Sequence, residues 1–165
     1  LLTHLLLEAL KASPAGRIVN VSSDAHQGGR VKFDDLQLRG GYNGWRAYAQ
    51  SKLANVLFTY ELSRRLEGST VAANVLHPGF VATGFARNNG WLYDIGMRLT
   101  TLFALTPEQG AQTNIYLASS PEVEGVSGRY FHKMKPVRSS PASYDRDAAQ
   151  RLWDASAELV NISKS

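Results

Sequence analysis

Apolar positions along the chain change period several times, and each change marks an element. The leucine-rich stretch 1–12 predicts an apolar helix, closed where Ala12-Ser13-Pro14-Ala15-Gly16 brings Pro and Gly together. Arg17-Ile18-Val19-Asn20-Val21 is a short β-branched run between turn signals and predicts a buried strand. From Ser22 to Gly44 the chain turns to Gly, Asp, Gln and Arg, a loop composition. Ala49, Leu53, Val56, Leu57 and Tyr60 then recur at three- and four-residue steps, predicting a long helix over 45–67 with Gly68 as its stop. Val71-Ala72-Ala73-Asn74-Val75-Leu76 predicts a second buried strand, ended by His77-Pro78-Gly79.

Residues 80–105 are aromatic-rich and irregular, with Phe85, Trp91, Tyr93 and Phe103 interrupted by glycines. Thr106-Pro107-Glu108-Gln109 carries a capping residue, Pro in the first turn and Gln three residues after the cap, and so predicts a helix running to about Ala118. A third short strand is predicted over 128–132, and Ser143 is expected to cap a last amphipathic helix bearing Leu152, Trp153 and Leu159. Strands alternating with helices imply an α/β domain, a parallel sheet with flanking helices. Ligands of such sheets sit beyond the carboxyl ends of the strands. Two segments qualify: Ser22-Ser23-Asp24, and His77-Pro78-Gly79-Phe80-Val81-Ala82-Thr83.

Tyr48 and Lys52 lie four apart on the long helix, so both project from one face, between those two segments in the chain. A phenol titrates near ~10 in water and is a poor base at neutral pH. A neighbouring ammonium favours the phenolate. Tyr48 can then give a proton to a carbonyl oxygen, or take one from an alcohol, while a hydride moves at the carbon. Ser23 offers a hydroxyl to hold the same oxygen, and Lys52 has donors left for a ribose.

Composition narrows the classes. The 165 residues suffice for one domain, and 44% hydrophobic with 19% charged residues exclude a disordered or fibrous chain. The absence of cysteine excludes disulfides, thiolate metal sites and a cysteine nucleophile. A net charge of +4 is spread thinly, its densest stretch being Lys133, Lys135 and Arg138, which reads as a solvated surface and not a nucleic-acid partner. The N-terminal apolar run is about half of the ~20 residues that span a bilayer, so no membrane segment is expected in this chain. His4, His26, His77 and His132 lack ligand spacing, so no metal is expected. Ser23, His77 and Asp94 could supply hydrolase chemistry, but no Gly-x-Ser-x-Gly elbow surrounds the serine.

Asn20-Val21-Ser22-Ser23, Tyr48-Ala49-Gln50-Ser51-Lys52 and His77-Pro78-Gly79-Phe80-Val81-Ala82-Thr83 together resemble the short-chain dehydrogenase/reductase family. The Thr106-Pro107-Glu108-Gln109-Gly110-Ala111 and Gly125-Val126-Ser127-Gly128-Arg129-Tyr130-Phe131 stretches are similar to its retinol-dehydrogenase-like branch. The resemblance covers essentially all 165 residues and implies a partial Rossmann-like parallel sheet. It implies Tyr48 as acid/base, Lys52 as its modulator and ribose ligand, and Ser23, not Ser22, as the substrate-orienting hydroxyl. Pro78, Gly79, Val81 and Thr83 would lie along the nicotinamide side of the cofactor. The 80–105 stretch would be the substrate loop, its apolar content suited to an apolar alcohol or carbonyl compound.

The cofactor is expected to be NAD or NADP, the family leaning to NADP. A homo-oligomer and a cytoplasmic location are expected. Gly40-Gly41-Tyr42-Asn43-Gly44 does not follow a strand and lacks pyrophosphate-loop spacing, so residues 1–165 are expected to form a single α/β domain matching the C-terminal catalytic portion of a member, with the N-terminal cofactor half absent. The competing expectation is an inactive fragment, or an assembly or binding module derived from such an enzyme.

Overall fold

The computed structural model describes residues 1–81 and 105–162. Strands β1 (Arg17–Val21), β2 (Ala72–His77), β3 (Tyr130–His132) and β4 (Lys135–Val137) form one sheet in the order β1-β2-β3-β4. β1, β2 and β3 are parallel, with Val21 opposite Leu76 and His77 opposite His132. β4 returns antiparallel to β3. The helices are α1 (Leu2–Lys11), α2 (Gly44–Arg65), α3 (Pro107–Ser119) and α4 (Arg146–Leu159).

Alternation along β2 divides the core between two layers. Val75 packs with Val56 and Tyr60 of α2 and with Tyr130, whereas Leu76 packs with Leu117 of α3, Val123 and Phe131. α2 is apolar on more than one side because it has more than one neighbour. Its Leu53 and Leu57 meet Ala149 and Leu152 of α4, and its Leu62 joins Leu66, Val71 and Ala73, onto which Leu7 and Leu10 of α1 fold. All five residues whose spacing predicts this helix are buried.

Four expectations need correction. The sheet is not wholly parallel: β4 lies where only a Pro/Ser stretch is expected. It is three residues long, it contains Pro136, and its hairpin turns through Lys133 and Met134 at φ 50° and 61°, without the Asn-Gly or Asp-Gly signal such turns favour. The last helix is capped not by Ser143 but by Asp145, whose carboxylate accepts the Ala148 N–H at 2.9 Å. Ser143 is buried in a 3-10 turn, Pro141–Tyr144, where its hydroxyl serves Ser139 and Ser140. β1 is half-buried, with Val21 exposed, because it pairs on one side only among the described residues. The segment after Ser23, expected as loop, opens with a 3-10 helix, Asp24–Gly28.

A polar cleft of about 870 Å³ opens at the amino ends of the strands, where Arg17, Ala72 and Arg129 lie. That is the end opposite the one where ligands of parallel sheets sit.

Candidate active site

Three successive residues at the end of β1 are tied to three points on α2. The Asn20 side-chain amide donates to the Thr59 hydroxyl at 2.9 Å, the Asn55 amide donates to the Val21 carbonyl at 2.9 Å, and the Ser22 hydroxyl donates to the Lys52 carbonyl at 2.8 Å. The Thr59 hydroxyl in turn donates to the Asn55 carbonyl at 2.7 Å. Each step along β1 moves about one turn back along α2. The seam sets the height of the helix against the strand, and one turn further on comes Tyr48.

Tyr48 and Lys52 stand together, as their four-residue spacing requires. The Lys52 ammonium lies 5.4 Å from the centre of the Tyr48 ring, and Trp45 lies on the ring's other neighbouring turn at 6.1 Å. Gln50, on the buried side of the same helical segment, accepts from the Lys32 N–H at 2.9 Å and donates to the Leu36 carbonyl at 3.0 Å. The helix therefore also carries the loop that leads from β1 to it.

The two serines after β1 have different work. Ser22 is 2% exposed, its N–H given to the Leu76 carbonyl and its hydroxyl to Lys52. Ser23 caps the 3-10 helix: its hydroxyl oxygen accepts the Ala25 N–H at 3.3 Å. Its proton has no acceptor among the described residues. A serine that accepts from its own loop and keeps its proton available can donate to a substrate oxygen.

At the end of β2, Gly79 takes φ +89°, and a Cβ there would run into the Leu105 side chain. Val81 pairs in a single bridge with Leu105, and its side chain closes over Gly110 in the first turn of α3, where a Cβ would collide with it. These two close approaches hold the loop 78–81 against Leu105 and the first turn of α3. His77 lies within 3.8 Å of the Asp24 carboxylate and 5.0 Å, ring to ring, from His132. Burial holds its imidazole below the ordinary histidine range; Asp24 opposes that, while His132 and His26 add to it. Thr83, Phe85, Trp91, Tyr93, Asp94 and Phe103 lie outside the described residues.

The structure thus puts Tyr48 and Lys52 in contact and brings Ser23, Pro78, Gly79 and Val81 to the same end of the sheet on separate loops. Among the described residues no three histidine or acidic side chains are grouped as a metal site, and no helix is long and apolar enough to cross a membrane. Asn20, Asn55, Thr59 and His26 also hold the site together, though none is expected from the sequence as a site residue. A polar residue inside a β-branched strand, and a second pair four apart on the same helix, were the available signals.

Strand-end serines, a Tyr-x-x-x-Lys pair on one helix and a Pro-Gly loop thus gather at the carboxyl ends of the parallel strands β1 and β2. The sequence profile of the short chain dehydrogenase family matches residues 1–91. The chain belongs to that family, and it is retinol-dehydrogenase-like. It is 50% identical to human retinol dehydrogenase 14 over 99% of its own length and 50% of that protein, and 47% identical to human retinol dehydrogenase 13 over 98% and 51%. It spans about half the length of the curated relatives it matches. Among solved structures, an uncharacterised protein from Mycobacterium paratuberculosis superposes with a TM-score of 0.68 at 33% identity, covering 90% of this chain and 52% of that one. A structure from Beutenbergia cavernae, titled as an NAD(P)-dependent gluconate 5-dehydrogenase with NADP bound at low occupancy, gives 0.57 at 27% identity, covering 79% and 49%.

Proposed function

We propose that this chain carries the catalytic residues of an NAD(P)-dependent oxidoreductase that interconverts an apolar alcohol and its carbonyl compound. The observation that supports this reading is the Lys52 ammonium 5.4 Å from the Tyr48 ring centre, on a helix locked to the strand that delivers Ser23. Tyr48 passes the proton to or from the substrate oxygen. Lys52 places a positive charge where a phenolate forms, and its ammonium donors hold the ribose. Ser23 donates its hydroxyl proton to the same substrate oxygen.

A bound nicotinamide supplies or accepts the hydride. The donor set fits such a group: the Lys52 ammonium, the Tyr48 phenol and the Ser23 hydroxyl at the carboxyl ends of adjacent parallel strands. Pro78, Gly79 and Val81 would form the wall along it. The bound NADP of the Beutenbergia relative favours NADP, with NAD as the other candidate. The names of the human relatives favour a retinol-like, apolar substrate.

Tyr48→Phe tests the assignment. It is expected to lower turnover by at least ~100-fold while cofactor affinity changes little. Lys52→Ala is expected to weaken both. Near-parental turnover in Tyr48→Phe overturns the mechanism.

A further inference from the structure

We propose that His26 is the positioning residue of the candidate serine: it fixes the Ser23 backbone and so aims the Ser23 hydroxyl. This deepens the reaction proposed above and rests on it for the role of Ser23.

His26 is completely buried, an expensive place for an imidazole unless both nitrogens are bonded. Both are. Nε2 lies 3.0 Å from the Ser140 backbone nitrogen, and Nδ1 lies 2.7 Å from the Ser23 carbonyl oxygen. A backbone N–H can only donate and a carbonyl can only accept. Nε2 therefore offers its lone pair to Ser140, and the ring proton sits on Nδ1, donated to Ser23. The network leaves one tautomer. Tyr130 tilts against the ring at 4.8 Å, its hydroxyl 3.5 Å from the same Nδ1.

The far end of this link is anchored as firmly. Tyr60 of α2 shares a hydrogen bond of 2.7 Å with Ser139, whose hydroxyl lies 2.6 Å from that of Ser143, and Ser143 donates to the Ser140 carbonyl at 2.6 Å. Ser139, Ser140 and Ser143 are all buried. A closed circuit results, running from α2 through the segment after β4 to His26, on to Ser23, and back to α2 through Ser22 and Lys52. The helix that bears Tyr48 and the loop that bears Ser23 are thus held by two independent routes. A side chain kept for packing alone could be apolar at this site. His26 instead spends its one ring proton on the carbonyl of the candidate catalytic serine.

The first experiment is long-range ¹H–¹⁵N NMR of the full chain at neutral pH. It should show a protonated Nδ1 and a bare Nε2 for His26; the opposite tautomer, or rapid averaging of the two, overturns the proposal. The second is steady-state kinetics of His26→Phe, which keeps the ring and loses both nitrogens, and of His26→Asn, which keeps a donor near Nδ1. We expect His26→Phe to lower kcat roughly ten- to hundredfold with cofactor KM within about twofold, and His26→Asn to recover part of the loss, because small misplacements of a reacting group cost rates of that size.

In a Ser23→Ala background the same His26→Phe change should cost less than about threefold, since the group it aims is gone. Parental kcat in a folded His26→Phe variant, or a full further loss in the Ser23→Ala background, overturns the positioning role. If neither His26 variant folds, the NMR result decides. Turnover that survives Tyr48→Phe, or is absent from the parent chain, instead defeats the proposed reaction, and the tautomer measurement still judges the link.

Discussion

The Ser22 hydroxyl donates a 2.8 Å hydrogen bond to the backbone carbonyl of Lys52, so the strand end and the helix that bears Tyr48 are joined at the residue next to the candidate serine. A helix carbonyl already accepts from the N–H four residues on, and its second lone pair is what Ser22 uses. The two serines can therefore be separated by experiment. Ser22→Ala should cost about 1–2 kcal/mol of stability, the range for losing a buried hydrogen bond. Ser23→Ala, which loses only the long 3.3 Å cap to Ala25, should cost less unfolding free energy than Ser22→Ala but remove most turnover. Equal effects of the two substitutions on stability and turnover would contradict this division.

The last helix offers a direct check on a corrected boundary. Asp145, not Ser143, satisfies its first turn, through the 2.9 Å bond from the Ala148 N–H. Asp145→Ala should therefore cost about 1 kcal/mol in urea unfolding, and Asp145→Ser should restore most of it, because either side chain can accept from that donor. Were Ser143 the cap, Asp145→Ala would be neutral. Ser143→Ala should also destabilise, for a different reason: it strips a partner from the buried Ser139 hydroxyl. Only the Asp145 loss should be recovered by another capping residue.

These two cases show what was readable in the chain. Interactions close in sequence were legible. The period of Ala49, Leu53, Val56, Leu57 and Tyr60 marked the long helix, the Tyr48–Lys52 spacing put both on one face, and Thr106 with Gln109 forms the reciprocal cap expected of it, with bonds of 3.2 and 2.9 Å. Asn20 and Ser22 reach partners 39 and 30 residues away, and His26 reaches Ser140 across 114, and no periodicity reports such pairs. Ser143 and Asp145 are both good caps, and only the tertiary demand on Ser143 separates them. β4 was hidden because Pro136 argues against a strand, yet on the outermost strand a missing N–H costs little and discourages pairing with another chain.

His77 makes stability depend on pH, and the sign follows from its surroundings. Its Nδ1 is buried with no partner among the described residues, and burial holds the folded imidazole below the ordinary value of 6.5. As pH falls below about 6.5, the unfolded chain takes up a proton at this residue that the native chain does not. Protonation then favours unfolding, so the penalty is absent above pH 7.5, begins near the unfolded value and grows down to the folded one. The urea midpoint of the parent should therefore fall more steeply between pH 7.5 and 5 than that of His77→Asn. Asp24 opposes the shift across 3.8 Å, with its carboxylate 71% exposed. Asp24→Asn should steepen the parent's fall, and the difference should shrink in high salt because an exposed charge is screened. His132 and His26 face the same ring and disfavour its charge. His132→Asn should consequently make the fall shallower, opposite in direction to Asp24→Asn. Parallel pH curves for the parent and His77→Asn would show that this histidine does not titrate out of step with the unfolded chain.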